Sequence, residues 1–112
     1  MLNSLGVLTE LLEGADKPNC GFLIDAYHFT RSGAGGRGFE SVPADKIYCF
    51  QYSDVSPNPV TGVRRPTDRL APGKGIVQWK EMLGLLAEKG YTGYLSYEAP
   101  NPELWERPPV EV

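Results

Sequence analysis

Three short apolar runs in this 112-residue chain each carry, at or near their end, a side chain able to hold a metal ion or move a proton: CGFLID closes on Asp25, YCFQYSD contains Gln51, and YLSYE closes on Glu98. Parallel strands that finish at one edge of a sheet deliver their last side chains to a common mouth, which is where α/β proteins place their chemistry. Neighbouring strands lie about 4.8 Å apart, so the outer two of three are about 10 Å apart at the backbone. Asp, Gln and Glu side chains can close that gap onto one cation, with oxygens at about 2.1 Å. Two carboxylates and an amide oxygen form a hard, oxygen-rich set, suited to Mg²⁺ or Mn²⁺ more than to thiolate-loving Zn²⁺. Asp25, Gln51 and Glu98 are therefore the candidate metal ligands. The neutral amide of Gln51 preserves the Lewis acidity of the ion better than a third carboxylate would.

Each of these residues also has a plainer use. Asp25 at a strand end can cap the following turn, and Gln51 within an apolar strand must find a hydrogen-bond partner in any case. Glu98 is harder to explain that way, because a carboxylate closing a buried strand is costly unless paired or metal-bound. Asp54, just past the second run, is expected to orient a ligand or the lone histidine, His28.

The elements that position these residues follow from periodicity and turn signals. Residues 4–13 place Leu5, Val7, Leu8, Leu11 and Leu12 on one helical face, with Gly14 as a stop. Lys17, Pro18 and Asn19 make a turn, and residues 20–25 run almost continuously apolar, as in a parallel strand buried on both faces. Residues 30–37 are too glycine-rich for a helix and read as a mobile loop over the strand ends, with a short helix near residues 39–44. Residues 47–53 form the second strand. The stretch 57–75 holds four prolines, three glycines and three arginines, a length of loop that is usually functional. Residues 76–89 form the clearest helix, with Val77, Trp79, Met82, Leu83 and Leu86 in an apolar stripe and Gly90 just past the end. Residues 93–98 form the third strand, and the prolines that follow allow only a short helix near residues 103–106. The order is that of repeated β/α units in an α/β fold.

Composition narrows the classes. With 41% hydrophobic and 22% charged residues, the chain suits one folded domain, 1–112. A net charge of −3 provides no broad basic field, so nucleic acid is not an expected partner. No apolar run approaches the roughly 20 residues needed to span a bilayer, and no secretory leader opens the chain, so no membrane partner and a cytoplasmic location are expected. Cys20 and Cys49 fall inside strands at a spacing that matches no zinc motif, and read as buried reduced thiols.

The segments FLIDAYHF, CFQYSD, DRLAPGKG ahead of a helix, and GYTGYLSYE resemble, in order, the last three strands of the xylose-isomerase-like (β/α)8 barrels. That superfamily holds sugar-phosphate isomerases and epimerases, inosose and 3-dehydroshikimate dehydratases, and the endonuclease IV type of repair enzyme. The resemblance implies strands 6 to 8 of a TIM-type barrel, with strands 1 to 5 absent from this chain. It implies that Asp25 is the metal-binding aspartate, His28 the substrate-facing histidine, and Arg69, ahead of the Pro72 to Gly75 turn, the arginine that holds the far end of the substrate. Glu98 resembles the last metal-binding glutamate and, with His28, is a candidate catalytic group; Asp54, by its position after the second strand and not by the resemblance, is placed with His28 and Arg69 on the substrate side. Arg64 and Arg65 lie in the same loop as Arg69, so a solvated basic patch competes with the clamp. Gln51 stands where many epimerases have a histidine, and dehydratase-like members use glutamine there. Tyr27, Tyr97, Trp79 and Trp105 are read as packing residues.

The implied function is metal-dependent isomerisation or epimerisation of a hydroxy-carbonyl sugar or sugar phosphate through an enediolate, with Mn²⁺ or Mg²⁺ as cofactor. A lyase of the 3-dehydroshikimate or inosose dehydratase type is the alternative. The repair endonuclease is disfavoured, because zinc clusters of that kind need many histidines and this chain has one. A complete barrel needs about 250 residues, so a fragment with weak activity, or a non-catalytic one, is also open. Three strands leave two sheet edges free, which points to self-association or to a missing N-terminal half.

Overall fold

The computed structural model describes residues 4–111, and within them three parallel strands lie side by side in the order β1, β2, β3. Strand β1 is Phe22–Asp25, β2 is Ile47–Tyr52 and β3 is Tyr94–Tyr97. Each strand is shorter than its apolar run. The register puts Asp25 opposite Gln51, and Gln51 opposite Ser96. Directly paired residues of parallel strands project to the same side and alternate residues share a face, so Asp25, Gln51 and Glu98 belong to one face of the sheet. Ile24 and Phe50 occupy the other, where Phe39, Val42, Met82, Leu85 and Leu86 complete the buried core.

Helix α1, Leu5–Ala15, runs through Gly14 and ends where Asp16 enters the left-handed region at φ 45°, its N–H returning to Leu12 O at 3.1 Å. Leu5, Leu8 and Leu12 pack against the core, while Val7 and Leu11 on the expected apolar face stay exposed.

Parallel pairing of β1 and β2 demands a crossover, and its form departs from expectation. Asp25 caps a short helix, α2, Ala26–Arg31, and the glycine-rich segment that follows leads into buried anchors. Phe39 and Val42 are buried, Arg37 bonds Glu40 and Glu88, and Lys89 Nζ donates to the carbonyls of Glu40 and Val42 at 2.6 Å each. The only helical turn after it is the 3₁₀ segment Ala44–Lys46, so no helix forms over residues 39–44. Two aromatic and aliphatic anchors suffice here because Gly36, at φ 68°, lets the backbone lie close against Gln78 and Glu81.

Helix α3, Trp79–Glu88, starts three residues later than the expected residue 76, and Val77 is buried just ahead of it. Its C-terminus is the expected one: Gly90 at φ 72°, with Tyr91 N donating to Leu86 O at 3.0 Å. Helix α4, Pro102–Trp105, is capped by Asn101. Strand β3 is largely open, with Tyr94 at 84% and Leu95 at 55% exposure. Cys20 and Cys49 are free thiols, half-buried rather than fully enclosed.

Candidate metal and substrate site

The strand ends converge as their spacing requires, but the residue at the centre of the cluster is Arg69. Its Nη1 lies 2.9 Å from Asp25 Oδ2, 3.4 Å from Ser53 Oγ and 3.3 Å from the carbonyl of Glu98, with Glu98 Oε2 at 3.9 Å. Nη2 lies 2.9 Å from His28 Nε2. A guanidinium can only donate, so Nε2 accepts and the ring proton sits on Nδ1. Burial pushes the His28 pKa below its ordinary value; Asp25 and Glu98 pull it up, and Arg69 and Arg31 push it further down.

Asp25 performs its plain and its chemical role at once, on different oxygens. Oδ1 accepts the N–H of Tyr27 at 2.9 Å and, more weakly, that of His28 at 3.4 Å, while Oδ2 faces Arg69. The cap fixes the carboxylate's rotamer, so the free oxygen points at the mouth. Gln51 is half-buried beside it. Glu98 corrects the sequence argument: its side chain is 49% exposed, so burial does not by itself demand a partner for the carboxylate.

Arg69 is separated from Arg64 and Arg65 by its surroundings. It is 6% exposed, whereas the other two point to solvent. Its carbonyl accepts from Asn101 Nδ2 at 2.9 Å, and its guanidinium carbon lies 4.5 Å from the centre of the Tyr27 ring. Tyr27, read from the sequence as packing alone, is both packed and polar. Its hydroxyl donates to Asp68 Oδ1 at 2.8 Å and accepts from Arg31 Nη1 at 2.9 Å; Asp68 Oδ2 accepts the Val60 N–H at 2.8 Å. Burial and the Asp68 hydrogen bond raise the Tyr27 pKa. Asp68 would be raised by its own burial, but the Val60 N–H and Tyr27 hydroxyl outweigh that and leave it below its ordinary value. The quoted DRLAPGKG motif contained Asp68, yet nothing in its spacing to Tyr27 marked the contact.

Asp54 is the one site residue that the structure moves out of the cluster. It is fully buried and holds the long loop to α3: Oδ1 accepts from Val55 N at 2.8 Å and Val77 N at 2.9 Å, and Oδ2 from Gly73 N and Trp79 Nε1 at 2.8 Å each. Its backbone pairs with Leu70 in both directions, at 2.7 and 3.0 Å. With both oxygens spent on loop donors it orients neither a metal ligand nor His28.

A cleft of about 400 Å³ opens onto this cluster, with Asp25, His28, Gln51, Arg69 and Glu98 in its polar wall and Leu5, Leu8 and Leu23 in its apolar one. The donors on the sheet face suit a hard divalent cation, and the guanidinium already placed between Asp25 and Glu98 is a stand-in positive charge. Among the described residues no three His, Cys, Asp or Glu side chains form a group that could hold a metal ion; the third oxygen beside Asp25 and Glu98 would have to be the amide of Gln51, which lines the same cleft. On donor type the residues fit, with Arg69 in the ion's place.

Comparison with known proteins agrees with the geometry. The chain matches the xylose isomerase-like TIM barrel family over residues 1–111. It belongs to that family. It is 32% identical over 105 residues to an inosose isomerase of Halalkalibacterium halodurans, which takes in 94% of this chain and 37% of that protein. A 3-dehydroshikimate dehydratase of Pseudomonas aeruginosa is 28% identical over 93 residues, 82% of this chain and 15% of the dehydratase. The crystal structure of the IolI protein, which has a zinc atom bound, superposes with a TM-score of 0.81 at 24% identity over 93% of this chain and 37% of that one. The three strands are thus a sector of a TIM barrel, and the chain spans just over a third of the inosose isomerase's length. No helix among the described residues is long and apolar enough to cross a membrane.

Proposed function

We propose that this chain supplies the Asp25, Gln51 and Glu98 side of a divalent-metal site in an isomerase or epimerase acting on a hydroxy-carbonyl compound of the carbohydrate class. The supporting observation is the register: Asp25 pairs with Gln51, and Gln51 with Ser96, so the three donors share one sheet face at the mouth of a cleft. A bound Mn²⁺ or Mg²⁺ would polarise the substrate carbonyl and so acidify the neighbouring carbon–hydrogen bond. Glu98, solvent-accessible at the mouth, is the group that takes that proton and returns it to the adjacent carbon. His28, neutral with a lone pair on Nε2, accepts a hydrogen bond from a substrate hydroxyl. Arg69 holds the substrate's far end, and the apolar wall of Leu5, Leu8 and Leu23 limits water around the reacting carbons. The zinc seen in the IolI structure is consistent with a divalent ion here; the oxygen-rich donors favour a harder one.

A dehydratase reading has its own support, in Gln51 and in the similarity to a 3-dehydroshikimate dehydratase. There the same carbon anion would expel a β-hydroxyl as water. Incubation with inosose, with ketoses and with 3-dehydroshikimate, each with Mn²⁺ and with EDTA, separates the two by product. An isomeric product lost in EDTA supports the proposal, an unsaturated product supports the lyase, and turnover unaffected by EDTA refutes metal dependence. With five strands of the barrel outside this chain, turnover by these residues alone is expected to be weak.

A further inference from the structure

A cation held by Asp25 and Glu98 must compete for an atom that is already in use. Asp25 Oδ1 is committed to the N–H of Tyr27, so only Oδ2 faces the mouth, and Arg69 Nη1 sits on it at 2.9 Å. From there the same nitrogen reaches the backbone oxygen of Glu98 at 3.3 Å and its carboxylate at 3.9 Å. A metal ion at bonding distance from Oδ2 and a guanidinium at hydrogen-bond distance from it would put two positive charges side by side in a largely buried pocket, where screening is weak.

We propose that Arg69 is a built-in occupant of the cation position: a divalent ion drives its side chain off Asp25, and the freed guanidinium turns into the cleft to receive the substrate. The proposal rests on the metal site argued above. Three further observations carry it. Among the described residues the buried Arg69 Nε has no hydrogen-bond partner, so the parked pose leaves a donor unsatisfied that a turn toward the cleft would satisfy. The backbone beneath it is clamped, by Asn101 on its carbonyl and by the two-way pairing of Leu70 with Asp54, so the movement is confined to the side chain. The Tyr27 ring below the guanidinium is a face along which the charge can slide while keeping its attraction to the ring. The consequence is an order of events: ion first, substrate second, with Arg69 unavailable to substrate until the ion is in place. In the ion's absence Arg69 balances the buried Asp25 charge.

The test is a Zn²⁺ titration of the wild-type chain, Arg69→Leu and Arg64→Leu by calorimetry, with the arginine Nε–Hε resonances of the wild type followed in ¹⁵N spectra as Zn²⁺ is added. Zn²⁺ is chosen because it is diamagnetic. Arg69→Leu is expected to bind at least about tenfold more tightly than wild type, with Arg64→Leu, which alters an exposed arginine of the same loop, unchanged. One wild-type Nε–Hε signal, absent from the spectrum of Arg69→Leu, should move as the ion saturates. Equal or weaker binding by a folded Arg69→Leu, or an Arg69 signal unmoved at saturation, overturns the displacement while leaving the metal site standing. If none of the three proteins binds Zn²⁺, the metal site and the displacement fall together. Should Arg69→Leu fail to fold, Arg69→Lys, which also lacks the Nε–Hε group, supplies the assignment and the movement of that wild-type signal decides.

Discussion

Replacing Asp54 by asparagine removes one charge and one acceptor from the most heavily used carboxylate in the molecule. Four donors converge on it: Val55 N and Val77 N on Oδ1, Gly73 N and Trp79 Nε1 on Oδ2, all between 2.8 and 2.9 Å. An amide keeps one oxygen, so two donors stay satisfied and the other two face an NH₂ group. Each buried group left unpaired costs about 1–3 kcal/mol, which sums to about 4 kcal/mol, set against a total stability of about 5–15 kcal/mol for an ordinary domain. With a urea slope of about 1–2 kcal/mol per M, the unfolding midpoint should fall by at least about 2 M. Tryptophan fluorescence is a suitable signal, because the Trp79 indole is itself one of the four donors and Trp105 is largely exposed already. The variant should also change the acid limb. Burial alone would raise the Asp54 pKa, but the Trp79, Val77 and Val55 hydrogen bonds outweigh it and hold the carboxyl below its ordinary 3.8. A depressed folded value means the stabilisation is complete above the unfolded value and is lost as pH falls through the folded one. Wild type should therefore weaken below about pH 4, and Asp54→Asn should lack that component. A variant within about 0.5 kcal/mol of wild type, or one with an unaltered acid limb, would refute the assignment of Asp54 as the residue that holds the loop.

Gly75→Ala should destabilise by at least about 1–3 kcal/mol, since an added Cβ would run into the carbonyl of Val55 and into Asp54; thermal melts check this, and a neutral result would mean the loop can shift. Tyr27→Phe keeps the ring beneath Arg69 and deletes the hydroxyl between Asp68 and Arg31, so it should cost about 1 kcal/mol and speed proteolytic cleavage within residues 57–75, whereas unchanged cleavage would sink the role given to that hydroxyl. The chain purified alone should sediment as a species larger than a monomer, through the open edges of β1 and β3 and the exposed Leu23, Tyr94 and Leu95; a stable monomer at high concentration would contradict that.

The three candidate ligands were legible because the signals that place them are local. Continuous apolar runs mark parallel strands, turn residues mark their ends, and the period of two puts alternate residues on one face. The same locality explains why α3 and its glycine stop were readable, and why the family resemblance, carried by the strand ends, was sound. What escaped was every feature set by packing between distant segments. The anchors at the end of the glycine-rich crossover, Phe39, Val42 and the Arg37 pair with Glu88, were not legible because they act across the fold. Glu98 looked buried because its strand looked buried, but Tyr94, Leu95 and Tyr97 of β3 are exposed and so is half of the Glu98 side chain.

The amino-acid sequence by itself determined the order of the elements, the residue types at the strand ends, and hence the oxygen-rich character of the site, since these depend on neighbours a few residues apart. Only the tertiary structure decided that Arg69, the arginine the family resemblance singles out, lies on Asp25 at the centre of the cluster, that Asp54 serves the loop rather than the site, and that Tyr27 supports Arg69 from below. Those choices depend on which side chains share the small buried space where two strands, a long loop and a helix cap meet. Burial makes an unpaired charge or donor there costly, with Arg69 Nε the one exception among that guanidinium's nitrogens, so partners are selected by position in space and not by distance along the chain.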